Sequence, residues 1–135
     1  MMTHDLAATW RRIPARYRLE GMRCESCGTH YFPPRIICPK CRRKSRLVPY
    51  NFSGKGNVYT YTKITAAPAG LELEAPYVVG IIELEEGPKV TAQIVDVNDD
   101  ELKIGMPVKV MFRRLRVDGN EGLIHYGYKF TPTRE

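Results

Sequence analysis

The sequence predicts a mainly β protein with a short N-terminal helix, a zinc ribbon and a C-terminal five-stranded OB-fold barrel. Two paired-cysteine motifs predict the ribbon, and five segments rich in β-branched and aromatic residues predict the barrel. The chain has 135 residues, about the length of one ordinary domain, so there is room for one substantial core. We expect three parts, namely an N-terminal docking helix over residues 1–15, the ribbon over 16–46 and the barrel over 47–135.

A short helix is predicted over residues 4–12 because apolar side chains recur there at helical spacing. The apolar stripe consists of Leu6, Trp10, Ile13 and Tyr17, at steps of four, three and four. Pro14 should end the helix near Ile13, since a residue before proline avoids the helical region. A helix this short is unstable alone, so we expect Leu6, Trp10 and Ile13 to dock on the same chain or on a partner.

The most specific motif is a pair of C-x-x-C sequences, Cys24 with Cys27 and Cys38 with Cys41, with ten residues between the pairs. Each C-x-x-C turn directs two sulfurs at one point, and two turns complete the tetrahedron of thiolates that zinc accepts. Gly28 follows the first turn, where glycine readily supplies a positive φ. Four thiolates leave no coordination position for a substrate. The sequence therefore predicts a structural metal that folds a segment too small for its own core.

Three other uses of the cysteines stay open at this point. Disulfides are one, although they belong to oxidising compartments and cytosolic thiols stay reduced. A redox C-x-x-C motif is another, although two matched pairs favour a metal site. Iron can take the same four thiolates, so zinc is the expected metal and iron is the alternative.

Positive charge is concentrated in the first part of the chain. Residues 1–50 hold 11 Lys/Arg against 3 Asp/Glu, and residues 51–135 hold 10 against 12, within a net charge of +6. A basic cluster near the second cysteine pair includes Arg35, Lys40, Arg42 and Arg43. Such a cluster favours an anionic partner, which can be a nucleic acid, a nucleotide-like cofactor or an acidic protein surface. A solvated charged face without a partner is the alternative.

Five segments after the ribbon are predicted as strands separated by turns. They are residues 58–64, 77–84, 90–95, 107–112 and 122–130. The turn Glu85-Glu86-Gly87-Pro88 predicts a hairpin between the second and third strands. Five strands within some 85 residues fit a small closed barrel, and the five-stranded OB barrel is the natural candidate.

The sequence argues against a membrane protein and against an independent enzyme. No uncharged apolar run approaches the ~18 residues of a membrane helix. The N-terminus lacks a basic region followed by an apolar one, so we expect a cytoplasmic protein. His4, His30 and His125 lie in unrelated contexts with no nucleophile motif beside them. Because the four thiols are assigned to a metal, we expect no catalysis by this chain alone.

Several ordered motifs cover nearly the whole chain, about residues 8–130. They are Trp10-Arg11, Arg23-Cys24-x-x-Cys27-Gly28, Phe32-Pro33-Pro34-Arg35, Cys38-Pro39-x-Cys41, Gly56-x-Val58-Tyr59-x-Tyr61-Thr62, Pro76-Tyr77-Val78-Val79-Gly80 and Ile104-Gly105-x-x-Val108-x-Val110. Together they resemble a family of zinc-ribbon/OB-fold proteins long described as a domain of unknown function. The resemblance implies an N-terminal helical segment, a rubredoxin-like zinc ribbon and a C-terminal OB barrel.

The same resemblance implies an acyl-CoA-associated accessory protein that acts together with thiolases. The implied function is a non-catalytic scaffold that bridges acetoacetyl-CoA thiolase and hydroxymethylglutaryl-CoA synthase in the mevalonate and isoprenoid pathway and helps to hold CoA intermediates. CoA carries a 3′-phosphate and a pyrophosphate, and the arginine fork suits phosphate. We expect the basic cluster of Arg35, Lys40, Arg42 and Arg43 to contact those phosphates or acidic partner surfaces.

A single-stranded nucleic-acid-binding module is the main alternative function. Zinc ribbons and OB barrels both serve this role, and a pI of about 9.3 suits it. Tyr59 and Tyr61 lie on one face of their predicted strand and could stack bases. The barrel segment, however, has a net charge of −2 (10 Lys/Arg against 12 Asp/Glu in residues 51–135), which disfavours phosphate. We therefore expect a protein and CoA partner before a nucleic acid.

Overall fold

The computed structural model describes residues 6–117 and 119–134. Within it, the chain divides into two compact units, of which the first ends at Phe52 and the second begins at Ser53. We call them the ribbon unit and the barrel unit. The sequence placed the corresponding boundary between residues 46 and 47, six residues earlier in the chain.

Two short helices precede the ribbon, where the sequence predicted one helix over residues 4–12. Helix α1 spans Leu6–Arg11 and helix α2 spans Ile13–Arg18. Pro14 lies in the first turn of α2, where backbone N–H groups have no acceptor within the helix, so the N–H that proline lacks is not needed there. The first helix ends at Arg11, close to the end predicted near Ile13. Pro14 does not stop helical structure, however, because it helps to begin the second helix. Residues 4 and 5 of the predicted helix lie outside the described residues.

A three-stranded antiparallel sheet forms the ribbon, with strand order β2-β1-β3. Its strands are β1 (Glu20–Cys24), β2 (His30–Tyr31) and β3 (Leu47–Asn51). β3 pairs with β1 along its whole length, which is why the structural division falls after this strand, at Phe52. Leu19 and Phe52, joined by a 3.2 Å backbone hydrogen bond, are both buried.

The barrel unit is a closed barrel of five strands in the order β4-β5-β6-β8-β7. The strands are β4 (Lys55–Ile64), β5 (Tyr77–Leu84), β6 (Lys89–Ile94), β7 (Pro107–Val117) and β8 (Ile124–Pro132). Neighbouring strands are antiparallel except β6 and β8, which pair in parallel through Ile94 and Phe130. With the barrel numbered from its own first strand, this order is 1-2-3-5-4, which is that of an OB fold. The predicted fold class is confirmed.

Alternating apolar side chains fill the barrel. In β6, Val90, Ala92 and Ile94 are buried while the intervening residues are more exposed. Ile82 and Phe130 have no exposed surface, and full burial of such side chains stabilises a fold by about 1.5–3 kcal/mol each. Gly80 permits this packing, since an added Cβ would lie 2.7 Å from the Ile94 side chain.

Among the described residues, no helix is long and apolar enough to cross a membrane.

Candidate metal centre

The four cysteines lie on two tight turns of the ribbon unit. Cys24 ends strand β1, and the Gly28 N–H donates to the Cys24 carbonyl at 2.7 Å, which closes the first turn. Gly28 has the positive φ that the sequence predicted, 74°. The second turn is closed in the same way by the Arg42 N–H, which donates to the Cys38 carbonyl at 2.8 Å. The two turns therefore have equivalent hydrogen bonds four residues apart.

These turns bring the four sulfurs of Cys24, Cys27, Cys38 and Cys41 within 4.8 Å of one another. The Cys24 and Cys41 sulfurs are 3.8 Å apart, and the Cys27 and Cys38 sulfurs are 3.6 Å apart. A tetrahedral zinc with bonds of about 2.3 Å requires sulfurs roughly 3.8 Å apart. Since a disulfide needs about 2.05 Å, and all four cysteines are free thiols, the cluster is arranged for a metal.

The donor set also fits a structural ion better than a catalytic one. Four thiolates satisfy a tetrahedral ion completely, so no position is left for water or substrate. Cys24 and Cys38 are fully buried, while Cys27 is exposed and Cys41 is partly exposed. The site therefore lies at the edge of the ribbon, closed on one side by the protein and open to solvent on the other.

A tyrosine hydroxyl contacts the cluster directly. The Tyr31 Oη lies 3.2 Å from the Cys38 Sγ. This hydrogen bond is the main reason why the pKa of Cys38 falls to about 6, and it raises the pKa of Tyr31 to about 12. Tyr31 is thus a donor that stabilises a thiolate at Cys38. The sequence did not predict this contact, since nothing in the spacing of Tyr31 marks a hydrogen bond.

The close approach of the four thiols opposes ionisation of Cys41. Burial raises the pKa of Cys41 to about 12, and hydrogen bonds from the neighbouring thiols add to the effect. Four negative charges within 4.8 Å repel one another strongly. A divalent cation resolves this repulsion, because it neutralises two charges and favours every thiolate.

The predicted basic residues all lie on the ribbon unit beside the metal cluster. Arg35, Lys40, Arg42 and Arg43 are exposed. Arg42 and Arg43 begin a 3-10 helix, Arg42–Lys44, immediately after Cys41. The Arg35 guanidinium lies 5.3 Å from the centre of the Tyr31 ring. Within the described part of the chain, none of the four forms an ion pair.

The predicted docking residues are divided between the two N-terminal helices. Leu6 and Trp10 lie on α1 and are 68% and 75% exposed. Ile13 begins α2 and is only partly exposed. The apolar stripe is therefore interrupted at Arg12, between the helices. Leu6 and Trp10 remain large apolar side chains in contact with water.

The two tyrosines of the nucleic-acid hypothesis lie on strand β4 and are exposed, Tyr59 by 50% and Tyr61 by 38%. The pairing of β4 with β5 shifts between Val58 and Thr60, so Tyr59 lies at a β-bulge. The Lys89 Nζ lies 4.0 Å above the Tyr59 ring, and the Tyr61 hydroxyl donates to the Leu102 carbonyl at 3.4 Å. Both rings therefore already have partners within the barrel unit.

A second candidate site, which the sequence did not predict, is a cavity of about 520 Å³ in the barrel unit. The Lys129 side chain lines it and is 6% exposed, with its Nζ 3.5 Å from Glu74 Oε2. Lys63 and Arg113 also line it and pair with Asp99 and Asp96. Three of its four basic side chains thus pair with neighbouring acids, so little positive charge is left in the cavity to attract an anion. A lysine within an alternating strand gives no sequence signal of such burial.

A four-cysteine ribbon followed by a closed five-stranded barrel defines a zinc-ribbon/OB-fold protein. Two family models match the chain accordingly. The rubredoxin-like zinc ribbon domain of ChsH2 matches residues 11–46, and the C-terminal OB-fold domain of ChsH2 matches residues 50–113.

Known relatives identify the family more closely. A DUF35 domain-containing scaffold protein of Methanocaldococcus jannaschii is 55% identical over 92% of this chain and 88% of its own length. The chain therefore belongs to the family of DUF35 domain-containing scaffold proteins. A protein of Thermomonospora curvata named as a probable enoyl-CoA hydratase alpha subunit is 35% identical over 75% of this chain, which spans 31% of that protein.

One solved structure resembles the whole chain. It is described as the Ltp2-ChsH2(DUF35) aldolase, with a TM-score of 0.70 and 29% sequence identity. The similarity covers 97% of this chain and 96% of that one.

Proposed function

We propose that this protein is a non-catalytic scaffold subunit of an acyl-CoA-processing assembly, in which it bridges acetoacetyl-CoA thiolase and hydroxymethylglutaryl-CoA synthase. The single observation that carries the proposal is the 55% identity to a DUF35 domain-containing scaffold protein over 92% of the chain. An aldolase complex and a hydratase subunit among the relatives support an acyl-group enzyme as the partner. The assembly belongs to the mevalonate pathway in the cytoplasm.

Zinc is the metal of this scaffold, bound by Cys24, Cys27, Cys38 and Cys41. Zinc has no redox chemistry and no preferred geometry beyond what the ligands impose, so a closed tetrahedron of thiolates suits it. The metal holds the two turns together, and the ribbon thereby presents its basic residues in a fixed arrangement. No step of catalysis by this chain requires it.

The basic cluster of Arg35, Lys40, Arg42 and Arg43 attracts anionic groups of the assembly. These are either the phosphates of CoA or acidic patches on the two enzymes. A titration of the wild type and of Arg42→Gln/Arg43→Gln with CoA and with dephospho-CoA separates the two cases. Binding that the double variant weakens supports contact with the phosphates, and a preference for CoA over dephospho-CoA then identifies the 3′-phosphate, since the ligands differ only in that group. No binding, or binding that the double variant leaves unchanged, assigns the cluster to protein surfaces.

Reconstitution tests the scaffold itself. The full-length protein is mixed with the thiolase and the synthase of the same genome, and the masses of the complexes are measured by light scattering after gel filtration. We expect a ternary complex that does not form from the two enzymes alone. We also expect each enzyme to keep its own kcat when assayed separately. A ternary complex that forms equally well without this chain, or no complex with it, would overturn the proposal.

A single-stranded nucleic-acid-binding module is the second candidate, favoured by the exposed Tyr59 and Tyr61, the first of which has Lys89 above its ring. Stacking on such rings contributes about 1–3 kcal/mol per base. Fluorescence anisotropy with a 12-nucleotide poly(U) oligomer at 50 mM and 200 mM salt measures this directly. Salt-dependent binding that Tyr59→Ala weakens would support it. No binding at 50 mM salt removes it.

A further inference from the structure

The loop between the two cysteine turns exposes two adjacent isoleucines. Residues 33–37, which we call the ribbon tip, contain Ile36 and Ile37, and these side chains are 96% and 60% exposed. Single exposed apolar residues are ordinary on protein surfaces. Ile36 and Ile37 are adjacent, however, and together they form a compact apolar patch on a loop next to the metal site. Exposure of this patch to water is unfavourable.

The tip is held firmly on both sides, so its exposure is built into the fold. Before it, the Phe32 ring makes an edge contact with the Phe52 ring, at 5.9 Å between centres. Within it, Arg35 lies over the Tyr31 ring, at 5.3 Å. After it, Cys38 belongs to the sulfur cluster, and its Sγ forms a hydrogen bond with the Tyr31 hydroxyl. A projection that is already ordered loses little conformational entropy on binding.

The chain segment that contains the tip carries charge of one sign. Residues 28–46 contain six basic residues and no Asp or Glu. The basic residues are Arg35, Lys40, Arg42, Arg43, Lys44 and Arg46. An apolar apex surrounded by positive charge is complementary to an apolar pocket with an acidic rim.

We propose that the ribbon tip is a docking element that inserts Ile36 into an acidic-rimmed apolar pocket on an enzyme subunit of the assembly. The proposal rests on the scaffold function proposed above and names the surface that engages the partner. Nucleic acid is a poorer occupant, because aliphatic side chains offer no stacking platform for bases. A lipid surface is also poorer, since interfacial binding depends on a broader apolar face than two side chains provide.

The test compares variants of the full-length protein in calorimetric titrations with the purified thiolase and with the purified synthase. Ile36→Asp changes the tip itself, and Arg43→Glu reverses the charge of one of the basic residues near it in the sequence. Ile104→Asp and Lys103→Glu are matched controls, because Ile104 is also an exposed isoleucine (69%) with a lysine next to it, on the barrel unit. Metal content and melting temperature verify that each variant is folded. If Ile36→Asp loses metal, Ile36→Ala replaces it.

We expect Ile36→Asp to weaken binding to one of the enzymes by about tenfold or more, as for a central interface residue. Arg43→Glu should weaken the same binding and reduce its dependence on salt between 50 mM and 300 mM. Both controls should stay within about twofold of the wild type, because surface substitutions away from an interface usually change free energies little.

Three other outcomes overturn the proposal and can be told apart. If the wild type binds the enzymes and the tip variants bind equally well, the tip is not the docking element, while the scaffold function stands. If the wild type binds neither enzyme, the scaffold function fails and the docking proposal fails with it. If Ile36→Asp instead abolishes sedimentation with phosphatidylglycerol vesicles or self-association in the ultracentrifuge, with enzyme affinity unchanged, the occupant is a lipid surface or a second copy.

Discussion

The ribbon unit and the barrel unit hold themselves together by different means. Among the described residues, the ribbon unit buries four hydrophobic side chains, and two of them are cysteines of the metal cluster: Leu19, Cys24, Cys38 and Phe52. The barrel unit buries nine: Val58, Val78, Ile82, Leu84, Val90, Ala92, Ile94, Val108 and Phe130. The barrel has a hydrophobic core of its own. The ribbon buries few apolar side chains, so we expect it to need the metal in order to fold.

Each unit should therefore be destabilised by a different kind of substitution. Removing a thiolate should affect the ribbon far more than the barrel, and removing a core side chain should do the reverse. The following substitutions test that separation, in order of decreasing expected effect.

The largest effect is expected from Cys38→Ser, which removes one of two buried ligands. Structural zinc sites contribute about 10–16 kcal/mol of apparent binding free energy at neutral pH, so the ribbon should lose its metal and its fold. Metal content per chain, measured by mass spectrometry, should fall from about one to near zero. Ser26→Ala is the matched control, because it removes only an exposed hydrogen bond to the Lys44 carbonyl.

Phe130→Ala should have the next largest effect, confined to the barrel. Phe130 has no exposed surface and connects β8 to β6. Truncation of a buried phenylalanine costs about 3–5 kcal/mol, which a urea titration followed by circular dichroism measures. Phe112→Ala, at a 54% exposed position of the same unit, should cost much less. Equal losses for the two variants would contradict this account of the core.

Tyr31→Phe should weaken metal binding without unfolding the barrel. The substitution keeps the ring and removes the hydroxyl that lies 3.2 Å from the Cys38 sulfur. Outer-shell partners of metal ligands typically contribute 10–100-fold in affinity, so competition with a chelator should show a loss of about tenfold. Tyr50→Phe is the control, because Tyr50 is another tyrosine of the ribbon sheet, and its ring packs against His30 and Phe52. An unchanged affinity in Tyr31→Phe would exclude the hydroxyl as a thiolate donor.

The smallest effect is a pH dependence in the barrel unit. The Arg134 guanidinium donates to Glu101 at 2.9 Å and lowers the pKa of that carboxyl, with help from the Asn98 N–H. Since the folded pKa lies below the unfolded one, the contribution to stability is present above about pH 4.3 and is lost as the pH falls through the folded pKa.

Arg134→Ala should therefore lower the melting temperature slightly at pH 7, and by less as the pH falls through the folded pKa of Glu101. The hydrogen bond from Arg134 to the Asp96 carbonyl, at 2.8 Å, is lost in the variant at every pH. Lys103→Ala, on the same unit, serves as the control. A loss that is as large at pH 3 as at pH 7 would show that Arg134 acts through something other than the ionised Glu101.

Local patterns in the sequence predicted much of this molecule. Two residues between cysteines fix the geometry of a turn, so the cluster of four sulfurs followed from spacing alone. Alternation predicted the barrel strands, because one face of each meets a core. Strand β3 was missed, since Pro49 lies at its centre and its pairing with β1 depends on a partner more than 20 residues away.

Features that arise from tertiary contacts were not predictable in this way. Pro14 is compatible with the end of one helix or with the beginning of another. Which of the two occurs depends on the backbone conformation of Arg12 and its neighbours, which the sequence pattern does not specify. The hydrogen bond between Tyr31 and Cys38 joins residues seven positions apart across a loop. Burial of Lys129 beside Glu74 requires a long loop to fold back on a strand.

The strand order of the barrel also determines when it can close during synthesis. Of the five barrel strands, β8 is the last to leave the ribosome, yet it lies between β6 and β7. Until residue 132 has emerged, the nascent barrel presents two open strand edges, which are templates for pairing with other chains. The ribbon, by contrast, has all of its ligands and strands once residue 51 is made. Translation therefore exposes the barrel to misassembly for longer than the ribbon, and zinc supply alone cannot prevent it.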